Sequence, residues 1–113
     1  MTEHLFVYGT LCPGKPNEHI MEKIGGSWHK ASIEGELRAG GWGAEMGFPG
    51  IVLNVPEDKR EAIHGYVFSS ENLVTNWEML DKFEGVEYQR VLTDVQLENG
   101  QLMQAYVYAL ASE

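Results

Sequence analysis

The chain has 113 residues, 43% of them hydrophobic, and a formal net charge of −9 from 17 acidic and 8 basic residues. This length predicts one domain, residues 1–113, and the apolar content excludes a disordered chain. The acidic surface argues against nucleic acid as a partner. No apolar run is long enough to span a bilayer and no signal peptide is visible, so we expect no membrane partner. The single cysteine, Cys12, favours a cytoplasmic location.

The first part of the chain predicts a strand, a short helix and a second strand. Leu5–Tyr8 is short and apolar, which is typical of a strand buried on both faces. Asn17 can cap a short helix that ends at Ile24, because two glycines follow it. Small and apolar residues alternate with polar ones from Ala31 to Ala39, which is the period of a strand.

The middle of the chain predicts a long loop followed by two strands. Residues 40–50 contain five glycines and one proline, a composition that no regular element tolerates. The segments 51–55 and 63–68 are predicted strands. The charged residues 57–61 between them predict a solvated turn.

The main helix is predicted after residue 68, with Ser69 or Ser70 as its cap. Four residues follow one another at spacings of four, three and four and therefore share one helical face: Leu73, Trp77, Leu80 and Glu84. Gly85 stands where a helix commonly ends with a residue in the left-handed αL conformation.

The last part of the chain predicts a β-hairpin. The alternating segments Tyr88–Leu97 and Leu102–Leu110 flank Asn99-Gly100, a strong turn signal between two strands. In total we expect about six strands and two helices, one main and one short. The predicted fold class is therefore α+β, with a small, mixed, strongly curved or closed, barrel-like sheet.

Glu84 breaks the apolar pattern of the main helix. A carboxylate that faces a core is costly to ionise, and the last turn of a helix presents partial negative charge. Both effects raise the pKa of the carboxyl group, which makes Glu84 a candidate general base and acid. The alternative is a frayed helix end that places Glu84 in water.

Polar residues surround Glu84 in the sequence LDKFEGVEYQR. Arg90 could pair with Asp81 or with Glu87. The hydroxyl group of Tyr88 could orient a carboxyl group or a ligand, or Tyr88 could be an ordinary strand aromatic with a satisfied hydroxyl.

A second candidate site is the turn at residues 8–11, which the sequence FVYGTLCPG places at the end of the first strand. Gly9 can adopt a positive φ and lets a ligand approach the backbone closely. Consecutive backbone N–H groups in such a turn can bind a carboxylate or a developing oxyanion.

These stretches together resemble the gamma-glutamylcyclotransferase-like family. The similarity rests on FVYGTL near the N-terminus, on FPG before a middle strand, and on LDKFEG followed by YQR. It spans nearly the whole chain, and the gamma-glutamylamine cyclotransferase type, also called AIG2-like, is the most similar subgroup. The resemblance implies a mixed α/β fold built on a small barrel.

The resemblance also implies a site and a reaction. Tyr8, Gly9, Thr10 and Leu11 would form the gamma-glutamyl binding loop, and Glu84 would be the catalytic acid and base. The α-amino group of a gamma-glutamyl substrate would attack its own γ-carbonyl and release 5-oxoproline and a free amine. This ring closure needs neither metal nor organic cofactor. The implied partner is a small gamma-glutamyl compound. Separately from the resemblance, we expect a monomer or a weak homo-oligomer.

Other readings of the sequence stay open. The same loop and cavity could bind a small metabolite or a partner without catalysis. Cys12 could be the nucleophile of a hydrolase, although no local pattern supplies its base. The four histidines lack the spacing of zinc ligands. Trp42 and the glycine-rich segment around it could form a wall of the substrate site or a surface loop.

Overall fold

The computed structural model describes residues 1–39 and 49–110. Most of the predicted loop over residues 40–50 lies outside the described residues, and so does Trp42 with its predicted place in a substrate wall. The strands are β1 (Glu3–Val7), β2 (Ser27–Arg38), β3 (Gly50–Val52), β4 (Glu61–Ser70), β5 (Tyr88–Leu97) and β6 (Leu102–Leu110). The helices are α1 (Glu18–Ile24) and α2 (Trp77–Glu84), and single 3-10 turns cover Glu57–Lys59 and Leu73–Thr75.

The strands form one sheet in the order β3-β2-β4-β1-β6-β5, and β5 also pairs with β2. The closing pairs are Ala31 with Leu97 and Ser32 with Gln96. Strands β2, β4, β1, β6 and β5 therefore close into a barrel, and β3 adds to the outer edge of β2. The α+β fold with a closed sheet, one main helix and one short helix is confirmed.

β1 runs through the centre of the structure and is buried on both faces, as its sequence predicts. Phe6 belongs to the cluster that fills the barrel, together with Ile33, Val67 and Val107. Leu5 and Val7 point the other way, into a second cluster that the two helices cover. The other buried members of this second cluster are Leu11, Cys12, Met21, Ile24, Phe68, Leu73, Trp77, Leu80 and Tyr108. β1 thus joins the two cores.

The predicted start of the main helix is wrong. Ser69 and Ser70 are the last residues of β4, and α2 begins only at Trp77. Ser70 uses its hydroxyl group to bond the carbonyl of Gly25 and to accept the N–H of Asn72, so it ties the strand end to α1. The intervening 3-10 turn buries Leu73, and the helix then buries Trp77 and Leu80 as predicted.

The ends of other elements also differ from the prediction. Asn17 precedes α1, but its side chain makes no capping hydrogen bond. Instead, the N–H of Gly14 donates to Oε1 of Glu18 at 3.0 Å. β4 is longer than the predicted 63–68, and β3 ends at Val52 instead of residue 55.

The C-terminal hairpin has the predicted bounds. β5 and β6 pair in antiparallel register from Tyr88 with Leu110 to Gln96 with Leu102. Gly100 has a φ of 88°, the positive value for which glycine is suited at this turn. Within the described part of the chain, no helix has the length and apolar content needed to cross a membrane.

Candidate active site

The turn at residues 8–11 leaves the end of β1 and is held in place by its own backbone. The N–H of Cys12 donates to the carbonyl of Gly9 at 3.1 Å, and the N–H of Asn17 donates to the carbonyl of Thr10 at 2.9 Å. Thr10 and Leu11 are buried, and Leu11 packs in the core that the helices cover. The turn is therefore anchored on both sides.

The N–H groups of this turn remain available to a ligand. Across residues 1–39 and 49–110, the N–H groups of Gly9, Thr10 and Leu11 have no protein acceptor. Gly9 does not use the positive φ that glycine permits, because the described glycines with positive φ are Gly14, Gly25, Gly85 and Gly100. The small size of Gly9, and not a left-handed backbone, is therefore what permits a ligand to come close.

One pocket brings together all six residues that the sequence indicated: Glu84, Tyr88 and the turn from Tyr8 to Leu11. The pocket lies where the end of β1, the end of α2 and the start of β5 meet. Its lining residues are Phe6, Val7, Tyr8, Gly9, Thr10, Leu11, Pro49, Glu84, Tyr88 and Tyr108.

Glu84 is the last residue of α2 and is half-buried in this pocket. Burial raises the pKa of its carboxyl group to about 7, from an ordinary value of 4.5. The cause is the loss of water around the charged form. A carboxyl group with this pKa exchanges a proton readily near neutral pH, which is what a general base and acid must do.

Tyr8 uses its hydroxyl group inside the protein. The hydroxyl donates to the main-chain oxygen of Tyr108 at 2.8 Å and accepts the N–H of Ile51 at 2.9 Å. Burial raises the pKa of this hydroxyl above its usual range. Tyr8 therefore joins β3 to β6, and its contribution to the pocket comes from its ring and backbone.

Arg90 pairs with Asp81, which settles the choice that the sequence left open between Asp81 and Glu87. Nε and Nη2 of Arg90 donate to the two carboxylate oxygens of Asp81 at 3.0 and 3.3 Å. The pair joins β5 to α2 about one helical turn before Glu84.

Sequence reasoning missed Tyr108, which lines the pocket and is 5% exposed. Its hydroxyl donates to Oδ1 of Asp81 at 2.7 Å. The predicted hairpin contains the signal that could have found it, because the register that Asn99-Gly100 sets places Tyr108 directly opposite Arg90.

Cys12 is buried in the helix-covered core and is not among the lining residues of the pocket. Burial raises the pKa of its thiol to about 11, so the thiolate needed for attack is scarce at neutral pH.

We expect Cys12→Ala to retain the turnover of the wild type, measured as product release under saturating substrate. Loss of turnover in a folded Cys12→Ala protein would reinstate the cysteine hydrolase.

Two of the described histidines, His4 on β1 and His29 on β2, lie within hydrogen-bond distance of serine hydroxyls of the sheet. Nδ1 of His4 lies 2.7 Å from the hydroxyl of Ser69, and Nε2 of His29 lies 3.4 Å from that of Ser27. In the part of the chain that the structure describes, no group of three or more His, Cys, Asp or Glu side chains could hold a metal ion.

Residues 5–113 match the family described as "Gamma-glutamyl cyclotransferase, AIG2-like". A search among curated proteins finds no match. Among solved structures, an AIG2-like protein from Mus musculus superposes with a TM-score of 0.73 and 29% identical residues. That match covers 99% of this chain and 79% of the mouse protein.

Two further structures share the fold. YkqA from Bacillus subtilis superposes with a TM-score of 0.72 and 26% identity, over 97% of this chain but only 36% of YkqA. A structure named gamma-glutamyl cyclotransferase has a TM-score of 0.68 and 17% identity, over 99% of this chain and 68% of its own. At 17% identity, this last likeness is one of fold alone.

Proposed function

Because the chain belongs to the gamma-glutamyl cyclotransferase, AIG2-like family, we propose that it converts a gamma-glutamyl amine or gamma-glutamyl amino compound to 5-oxoproline and a free amine. The observation that carries this proposal is the position of Glu84. A half-buried carboxyl group with a pKa of about 7 lines the same pocket as a turn with three available N–H groups. The Glu84 carboxyl group can transfer protons, and the N–H groups of the turn can stabilise the negative charge that develops on the substrate.

The reaction starts with the α-ammonium group of the substrate next to Glu84. The Glu84 carboxylate takes a proton, and the resulting amine attacks the γ-carbonyl carbon of the same molecule. A C–N bond forms, and the carbonyl oxygen becomes an oxyanion. Because the attack is intramolecular, orientation by the pocket supplies much of the rate and no protein nucleophile is needed. The N–H groups of Gly9, Thr10 and Leu11 stabilise the oxyanion.

The second half of the reaction breaks the original amide bond. Protonated Glu84 gives its proton to the leaving nitrogen, the carbonyl re-forms and the amine departs. The ring nitrogen, which still carries two hydrogens after the attack, gives one of them to the Glu84 carboxylate, and Glu84 passes it to the departing amine. The α-nitrogen thus keeps one of its three hydrogens, the amine leaves as an ammonium ion, and Glu84 ends as the carboxylate with which the reaction began. Tyr88 lines the pocket beside Glu84 and is assigned to substrate binding.

The proposal is tested by incubating the protein with a panel of gamma-glutamyl amines, gamma-glutamyl amino acids and glutathione. We expect release of 5-oxoproline and amine in equal amounts. The substrate with the highest turnover identifies the leaving group that the pocket prefers. Binding of a panel member without any product would instead identify a metabolite-binding module. The cytoplasmic location and the monomeric or weakly associated state stay predictions.

The raised pKa of Glu84 also has a consequence for stability. Burial favours the neutral carboxyl, so the folded chain holds this proton up to about pH 7 and the unfolded chain releases it near 4.5. Glu84 therefore costs stability progressively as the pH rises from 4.5 to 7. We expect Glu84→Gln to be more stable than the wild type at pH 8, with the difference lost at pH 4. Urea unfolding of both proteins measures it, and an equal difference at both pH values would contradict the raised pKa.

A further inference from the structure

We propose that Tyr108 and Asp81 are positioning residues that fix Glu84 at its working distance from the 8–11 turn. The inference rests on the proposed function, because it assigns to these residues a part in the same proton transfers. It concerns two side chains that lie on different elements, β6 and α2, and meet beside the pocket.

The end of α2 needs an external support. The helix has eight residues, Glu84 is its last, and Gly85 follows with a φ of 85° and a ψ of −177°. A helix this short is not held by its own hydrogen bonds, so packing and side-chain contacts decide where its last turn lies. The positive φ predicted for Gly85 is confirmed, but its ψ is extended and not that of an αL residue.

Asp81 supplies that support from within the last turn. Its carboxylate accepts the hydroxyl of Tyr108 at 2.7 Å and two N–H groups of Arg90 at 3.0 and 3.3 Å. Three donors from the β5–β6 hairpin therefore converge on one carboxylate, three residues before Glu84. The Asp81 side chain is 43% exposed, so we expect its ion pair to contribute geometry more than stability.

Arg90 also packs against two aromatic rings. Its guanidinium carbon lies 4.4 Å from the centre of the Trp77 ring and 5.2 Å from that of the Tyr106 ring. Trp77 is the first residue of α2 and Asp81 lies in the last turn. The planar guanidinium group of Arg90 thus contacts both the first residue and the last turn of α2. These two contacts restrict the rotation of α2 on the β5–β6 hairpin.

Tyr108 connects this support to the turn. Its side-chain hydroxyl reaches Asp81 on α2, and its main-chain oxygen accepts the hydroxyl of Tyr8 at the start of the turn. The buried ring of Tyr108 lies against the pocket. One residue therefore bonds the element that carries Glu84 and the element that carries the oxyanion-binding N–H groups. The hydroxyl is committed to Asp81, so Tyr108 acts on position and not as a proton donor.

Tyr108→Phe tests this role because it removes only the bond to α2. The ring and the main-chain oxygen stay, so the 8–11 turn should still bind the gamma-glutamyl group. We expect kcat to fall roughly tenfold to a hundredfold while KM changes less than about twofold, since small misplacements of a catalytic group have effects of this size. Tyr66→Phe on β4, the same hydroxyl deletion away from α2, is the control and should leave kcat unchanged. A folded Tyr108→Phe protein with wild-type kcat would overturn the proposal.

A double-mutant cycle shows whether the hydroxyl acts through Asp81. If it does, Asp81→Ala combined with Tyr108→Phe has the same kcat as Asp81→Ala alone, because the hydroxyl has lost its acceptor. Independent, multiplicative losses would overturn the proposal. Should Asp81→Ala fail to fold, Asp81→Asn takes its place. It keeps an acceptor for the hydroxyl, so adding Tyr108→Phe should lower kcat further, and an unchanged kcat would overturn the proposal.

The positioning role can be separated from the reaction itself. Absence of product from the wild type would refute the proposed function, whereas backbone amide shifts still report the geometry. We expect Tyr108→Phe to shift the amide signals of Glu84 and Gly85 relative to Tyr66→Phe. Shifts confined to β6 would show that the hydroxyl does not hold α2, whatever the activity.

Discussion

Glu84→Gln is expected to lower kcat by about 10²–10⁴-fold, the usual contribution of a general acid–base. The amide has nearly the shape of the carboxylate but cannot take a proton from the α-ammonium group or give one to the leaving nitrogen. Binding should change little, because the turn that holds the gamma-glutamyl group is intact. The measurement is 5-oxoproline release at saturating substrate, with circular dichroism to show that the fold is retained.

Glu78→Gln is the matched control for this experiment. Glu78 lies on the same helix, but its side chain is 84% exposed and faces Lys82 at 3.3 Å on the surface. Its replacement removes the same charge without touching the pocket, so kcat should equal that of the wild type. Substantial turnover by a folded Glu84→Gln protein, or an equal loss in Glu78→Gln, would remove Glu84 from the mechanism.

Gly65→Ala is expected to give the largest loss of stability among small changes outside the pocket. A Cβ atom at Gly65 of β4 would lie 2.2 Å from the backbone oxygen of Val7 and 2.9 Å from Cζ of Phe6. The backbone oxygen cannot rotate away, so β1 or β4 must shift. Overpacking of this kind typically costs about 1–3 kcal/mol of unfolding free energy, and we expect the upper end of that range.

The effect of Gly65→Ala should reach the site as well, because Val7 leads directly into the 8–11 turn. Urea unfolding measures the stability, and product release at a temperature where the variant is folded measures the activity. Ala62→Ser, at an exposed position of the same strand, should stay within about 0.5 kcal/mol of the wild type. A Gly65→Ala protein as stable as this control would show that the close approach of β4 to β1 is easily relieved.

The sequence was sufficient to single out Glu84 because a charged residue there occupies a position of the helix's apolar face. A carboxylate at the end of an apolar stripe is visible in a single chain, and its physical consequence, a raised pKa, follows from burial alone. The hairpin was equally accessible, since Asn99-Gly100 fixes both strands and their register locally.

Features that depend on distant partners were not accessible in the same way. The barrel closes by pairing Ala31 with Leu97. These residues are far apart in the chain, and no local sequence pattern predicts that they pair. Ser70 is a residue type that commonly caps helices, but pairing with Glu3 of β1 extends β4 as far as Ser70. Tyr8 looked like a ligand-binding residue, yet its hydroxyl is used by Ile51 and Tyr108, whose positions only the folded chain defines.

The most direct test of the site is a titration of the Glu84 side-chain carboxyl carbon by NMR, with Glu84→Gln to assign the signal. A midpoint near pH 7 is expected, and the amide signals of Gly9 and Thr10 should report the same midpoint because they line the same pocket. That result would show a proton held at neutral pH beside the turn that receives the oxyanion. A midpoint near the model-peptide value of ~4.3 would mean a solvated carboxylate, and Glu84 could not then serve as the acid and base of the reaction.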